Sequence, residues 1–139
     1  MFFYVFNWAK RMKTGIAKID CTSGDVSSNL LKIVSYIDEA KESGCDVAVF
    51  PEMADTGYDM IAIKETASSW YGDPFNTLQQ AAQKIKIHVI CGRSENEQQT
   101  ICKTTVVFSP DGKVIGKNKT LANFCNFVIN KINFQNSQW

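Results

Sequence analysis

The chain has 139 residues, a length that suits one domain with a modest core. Its balance of 45% apolar and 21% charged residues is that of an ordinary globular protein. Fifteen basic against fourteen acidic side chains leave a net charge of +1, which argues against a nucleic-acid or strongly acidic partner.

Residues 14–20 (TGIAKID) have the small, β-branched character of a short strand, with Ile16 and Ile19 as its expected core contacts. Residues 25–28 (DVSS) supply helix-start chemistry. Leu30, Ile33, Val34, Ile37 and Ala40 follow at helical spacing and predict an amphipathic helix with one buried face. Gly44 lies where that helix should stop. Residues 45–50 (CDVAVF) form a nearly continuous apolar run bounded by turn signals, the pattern of a strand covered on both faces. Strand, helix and strand at this spacing predict a βαβ unit. Pro51-Glu52 breaks the second strand at its C-terminal end, and a loop follows around Gly57-Tyr58. Asp73-Pro74 supply an N-cap and first position for another helix, which Phe75, Leu78, Ala81, Ala82 and Ile85 continue. Residues 87–91 (IHVIC) predict a third strand closed by Gly92, and residues 104–108 (TTVVF) a fourth. Pro110-Asp111-Gly112 is a hairpin signal, after which residues 113–117 return as a fifth strand. From residue 120 onward there is no acidic side chain and Lys131 is the only charge, an abrupt change of character.

The cysteines, Cys21, Cys45, Cys91, Cys102 and Cys125, are odd in number and contain no CxxC pair, so neither a disulfide framework nor a zinc site is indicated. His88 is the only histidine, which makes a metal centre of nitrogen and sulfur ligands hard to assemble. Cys45 and Cys91, inside strand-like runs, read as small buried hydrophobes, which fits a reducing cytoplasm. No apolar run approaches the roughly twenty residues that cross a bilayer. The apolar Phe2-Phe3-Tyr4-Val5-Phe6 is followed by its positive charges, the reverse of a secretory signal. A cytoplasmic chain with no membrane partner is therefore expected. Basic residues gather at Lys10, Arg11 and Lys13 and at Lys113, Lys117 and Lys119, without the interleaved aromatics that base stacking uses.

Glu52 directly follows an apolar strand. Ligands of open α/β sheets bind outside the carboxyl ends of the strands, where partial burial would tune a carboxylate into a useful base. The plainer alternative is a surface glutamate that caps the following turn. The surrounding text, Asp46-Val47-Ala48-Val49-Phe50-Pro51-Glu52 and then Thr56-Gly57-Tyr58, resembles the first signature of the nitrilase or carbon–nitrogen hydrolase superfamily. Upstream, the strand from Thr14, Asn29-Leu30 and Gly44-Cys45-Asp46 fall where that family has equivalents. Downstream, Val89-Ile90-Cys91-Gly92, Thr105-Val106-Val107-Phe108, Pro110-Asp111-Gly112 and Val114-Ile115-Gly116-Lys117 resemble its third strand and hairpin. Five motifs in the right order make the resemblance specific.

The resemblance implies an α/β fold, the first half of a four-layer αββα sandwich, with a mixed sheet and helices on one face. It implies hydrolysis of a small amide, carbamoyl or nitrile substrate by a Cys-Glu-Lys triad without metal or organic cofactor. In that triad the glutamate activates the thiol and the lysine stabilises the oxyanion. Carried over, Glu52 is the base and Lys119 the oxyanion cation, because Thr120-Leu121 follows it, with Lys117 as the alternative. Tyr58 either lines the pocket or is a packed loop tyrosine. The family's cysteine lies some tens of residues beyond its lysine, whereas Cys125 follows Lys119 by only six and has no preceding strand of the right kind. The similarity covers residues 12–124, the N-terminal half of a carbon–nitrogen hydrolase domain. Residues 1–11 read as a leader ahead of a natural start at Met12-Lys13, and residues 125–139 as a divergent tail. The expectation is a truncated carbon–nitrogen hydrolase, inactive as this chain. The alternative is a non-catalytic remnant or interaction module, in which the uncovered sheet face drives homo-oligomers or aggregation. A dinucleotide-binding domain is set aside, since no G-x-G-x-x-G follows the first strand.

Overall fold

In the computed structural model, which describes residues 12–121, the chain alternates strand and helix as far as His88 and then continues as strands only. The expected leader (residues 1–11), the divergent tail (residues 125–139) and Cys125 lie outside the described residues. β1 (Thr14–Ile16) leads into α1 (Val26–Glu42). Asp25 caps α1, its carboxylate accepting from the Ser28 amide at 3.0 Å. Leu30, Ile33, Ile37 and Ala40 form the buried stripe that the helical spacing predicts, and Gly44, at φ +75°, takes the left-handed conformation just past the helix end. β2 (Val47–Val49) pairs parallel with β1. Two helices, α2 (Met60–Thr66) and α3 (Asp73–Ile85), then precede β3 (His88–Glu97), which pairs parallel with β2. β4 (Thr100–Phe108) and β5 (Val114–Leu121) complete an antiparallel meander, so the sheet order follows the sequence.

α1 and α3 lie side by side on one face of this mixed sheet. Their apolar stripes close over Ala48, Val89, Cys91, Val106 and Phe108, with Phe75 of α3 meeting Phe108 at a ring separation of 5.2 Å. Cys45 and Cys91 are buried hydrophobes, as expected. The opposite face carries the in-register row Ile16, Val49, Ile90 and Val107. Ile16 is therefore 49% exposed and not a core contact, while Ala17 next to it is buried and Ile19 packs at the core margin. No helix among the described residues is long and apolar enough to cross a membrane.

Several boundaries differ from the sequence reading. The first two strands are three residues each, because only that stretch finds a parallel partner. α2 occupies what read as loop; Asp59 caps it, accepting from the amides of Ile61 and Ala62, and Ile63 packs on Met53. The N-cap of α3 is Gly72, with Asp73 and Pro74 in its first turn. β3 runs straight through Gly92 and turns at Gln98-Gln99, whose φ values of +49° and +71° make a tight hairpin, so β4 begins at Thr100. β5 extends to Leu121.

Candidate active site

β2 ends at Val49 and Pro51 just beyond it has no amide to donate, yet β3 continues seven residues past Ile90, the last residue paired with β2. The loop after β2 takes over that edge. The Ala54 amide donates to the Gly92 carbonyl at 3.0 Å, the Ser94 amide to Asp55 Oδ1 at 2.8 Å, and the Asn96 amide to the Ser68 carbonyl at 2.8 Å. Asn29, wholly buried on α1, donates to the carbonyls of Thr22 and Asp55 and so ties the loop to the helix layer. Where the loop crosses β3 it meets Gly92: a Cβ there would stand 2.5 Å from Glu52 Cα and 2.6 Å from the Pro51 carbonyl oxygen. Only glycine admits this approach, which sets the Glu52 backbone directly over β3.

Glu52 keeps its side chain 57% exposed, with Oε2 3.3 Å from Lys103 Nζ. Lys103 also donates to the Tyr58 hydroxyl. That hydroxyl and the Glu52 carboxylate, against the opposing effect of partial burial, hold the Lys103 ammonium above its ordinary pKa, so it is charged at neutral pH. Glu52 and Tyr58 are thus brought together, around a lysine that the sequence reading did not single out. Glu52 and Lys119 are not. Thr104 pairs with Lys119 and sends its hydroxyl to Glu95, placing Lys119 on the helix-bearing face. There Lys119 lies 3.6 Å from Glu95 Oε1 and also contacts the Glu97 carboxylate. Lys117 lies on the same face, 3.5 Å from Glu95 Oε2, with Nζ 3.4 Å from the Trp70 ring centroid. Burial alone would raise Glu95, but the Thr104 hydroxyl and the two lysines outweigh it and hold this carboxyl below its ordinary range.

Beneath the loop is a second ionic group. Arg93 is fully buried and donates to the Trp70 and Ser69 carbonyls and the Ser68 hydroxyl at 2.7–2.9 Å. Its Nε faces Asp55 Oδ2 at 4.0 Å. Burial pushes the Asp55 carboxyl up to about 6, against the Ser94 amide, Arg93 and the Thr56 amide, which all favour its ionised form. Thr56 and Ser94 share a hydrogen bond of 2.6 Å beside it. Because its folded pKa lies above the ordinary 3.8, Asp55 stabilises the fold fully below pH 3.8 and loses this contribution as pH rises through about 6. The loss is of order 3 kcal/mol. Urea unfolding from about pH 4 to about pH 7 should show wild type losing that much relative to Asp55→Asn. A constant difference between the two proteins would contradict it. Among the described residues no group of three or more His, Cys, Asp or Glu side chains is arranged to hold a metal ion.

A glutamate presented at the carboxyl end of a parallel strand, held there by a glycine crossing, follows the order of the motifs read above. The carbon-nitrogen hydrolase family matches residues 13–123. The chain belongs to that family. Among relatives of this carbon–nitrogen hydrolase chain, the omega-amidase NIT2-B of Xenopus laevis is 31% identical over 113 residues, 81% of this chain and 41% of that protein. The hydrolase in the agr operon of Staphylococcus aureus is 28% identical over 107 residues, 76% of this chain and 41% of its own length. The structure of an amidase from Nesterenkonia sp. AN1, with acrylamide added to its active site cysteine, superposes at a TM-score of 0.70 and 19% identity. It covers 76% of this chain and 42% of that one, and establishes the shared α/β fold. The chain thus spans about two fifths of the length of these relatives. Lys103, Asp55, Arg93 and Glu95 are the charged residues around Glu52 and its loop that sequence reasoning did not single out. Arg93 alone left a signal, as a charge directly after the apolar run into Gly92.

Proposed function

We propose that this chain carries the general base of a carbon–nitrogen hydrolase acting on a small amide, carbamoyl or nitrile substrate, with Glu52 as that base. The observation that carries the reading is the placing of Glu52 over Gly92 at the end of β2, half exposed and beside an ammonium. Glu52 takes the proton of an attacking cysteine thiol as the sulfur–carbon bond forms, and returns it to the leaving nitrogen as the carbon–nitrogen bond breaks. Water then releases the acid by the same base. Tyr58, joined to Lys103, lines the approach to Glu52.

As the 139-residue polypeptide, the protein turns over no amide by itself. Support comes from the thiols among the described residues: Cys45, Cys91 and Cys102 are buried, Cys21 is half buried, and burial pushes these four above their ordinary pKa. All four are free, which fits a reducing compartment, and we place the protein in the cytoplasm. The test supplies the nucleophile from solution. Purified chain with acetamide should release no ammonia, whereas with p-nitrophenyl acetate it should accelerate thioester formation by 2-mercaptoethanol. Glu52→Gln should lower that acceleration by about a hundredfold. Ammonia release from the chain alone would overturn the inactivity, and a Glu52→Gln variant as fast as wild type would overturn the role of the base.

The uncovered row of Ile16, Val49 and Ile90 favours a second reading, an interaction module that buries this face against a further copy. A defined oligomer in size-exclusion chromatography, with no thioester acceleration, would favour it over the enzyme.

A further inference from the structure

We infer that Lys103 is the cation that works with Glu52, stabilising the oxyanion of the proposed reaction in the place expected for Lys119. The inference rests on the reading of Glu52 as base and adds its partner.

Alternation along the strands decides the matter. Side chains of consecutive strand residues point to opposite faces, and directly paired residues share a face. Gly92 presents its Glu52-facing side on the face away from α1 and α3; two residues on, Ser94 shares that face, and its partner in register is Lys103. Thr104 and its partner Lys119 point the other way, towards Glu95. For Lys119 to reach Glu52, β5 would have to slip by one residue, and such a slip turns over every side chain on the strand. The register is pinned at three points. Lys117 sits over Trp70 at 3.4 Å, Lys119 pairs with Glu95, and Gly116 closes on Val107, where a Cβ would stand 3.1 Å from Val107 Cγ2. Slippage would forfeit all three.

Lys103 has the properties the role demands. Its ammonium is 3.3 Å from Glu52 Oε2, and its side chain is 24% exposed, buried enough to be oriented and open enough to meet a substrate. The Tyr58 hydroxyl gives the ammonium a second anchor beside the carboxylate. A carbonyl placed there would have the base and the positive charge on the same side of the sheet, so that proton removal and oxyanion formation occur together.

The thioester assay separates this inference from the reading beneath it. In that reaction the sulfur–carbon bond of the thioester forms and the thiol proton passes to Glu52. The oxyanion develops against Lys103 and collapses, breaking the ester carbon–oxygen bond and releasing p-nitrophenolate. Following thioester, and not phenolate, keeps stoichiometric acylation of lysines out of the rate. Lys103→Met should lower thiol-dependent turnover by about tenfold or more, Lys103→Arg should restore part of it, and Lys119→Met should stay within about twofold of wild type. A loss in Lys119→Met equal to or larger than in Lys103→Met, or no loss in Lys103→Met while Glu52→Gln remains defective, overturns the assignment and leaves the base in place. No effect of Glu52→Gln overturns both.

Discussion

Replacing Arg93 with alanine is expected to destabilise the protein by about 3–5 kcal/mol in urea unfolding at neutral pH. The magnitude comes from what the substitution leaves behind. Arg93 has no exposed surface, and its guanidinium meets two carbonyls and a hydroxyl from residues 68–70 while facing Asp55. Without it, those carbonyls lose their donors inside the protein, and Asp55 keeps a buried charge with no cation beside it. Burial already lifts the Asp55 carboxyl to about 6, so removing Arg93 raises it further and makes proton uptake at neutral pH part of the cost. Asp55→Asn in the same background should therefore recover a share of the loss, since it removes the charge and keeps the acceptor for the Ser94 amide. A cost below about 1 kcal/mol for Arg93→Ala would show that this pair is solvated and not a buried support of the site.

Gly92→Ala should cost about 1–3 kcal/mol and, unlike Arg93→Ala, should also displace Glu52. A methyl group at position 92 would stand 2.5 Å from Glu52 Cα and 2.6 Å from the Pro51 carbonyl oxygen. Both are backbone atoms of one loop, so no side-chain rotation relieves the clash; the loop itself must lift. Lifting it would break the bond from the Ala54 amide to Gly92 and move the carboxylate away from Lys103. Thioester formation should fall with stability, and the depression should persist under conditions where the variant is fully folded. Gly116→Ala is the comparison, because there a Cβ meets only the Val107 side chain, at 3.1 Å, and no backbone atom of the Glu52 loop. Equal losses of activity in the two variants would mean that Gly92 does not position Glu52.

The βαβ start of the fold was legible because its signals are local. Asp25, the stripe from Leu30 to Ala40, Gly44 and the apolar run into Phe50 each declare their element without reference to anything distant. So does the hairpin at Pro110-Asp111-Gly112. Gly92 was misread for a physical reason. In sequence a glycine after an apolar run suggests a stop, but its use here is to let another segment cross an uninterrupted strand. The Gln98-Gln99 turn was invisible because neither residue favours positive φ; the pairing of β3 with β4 imposes it. At the site, Glu52 was legible from its place after a strand, whereas Lys103 was not. Its proposed role depends on which face of β4 it occupies, set by the register with β3, and on the loop lying above it, where Glu52 is 51 residues away in sequence.

The seating of Lys117 on Trp70 has an optical consequence. The indole is enclosed by Phe75 at 4.9 Å, the Arg93 guanidinium at 5.7 Å and the Lys117 ammonium at 3.4 Å, so two cations border one chromophore. The second of them belongs to the outermost strand and would leave the ring if that strand peeled away while α3 and the core stayed folded. Trp70 is thereby a native fluorophore whose emission is tied to the docking of β5, a local event that far-ultraviolet dichroism, dominated by the helices, would pass over.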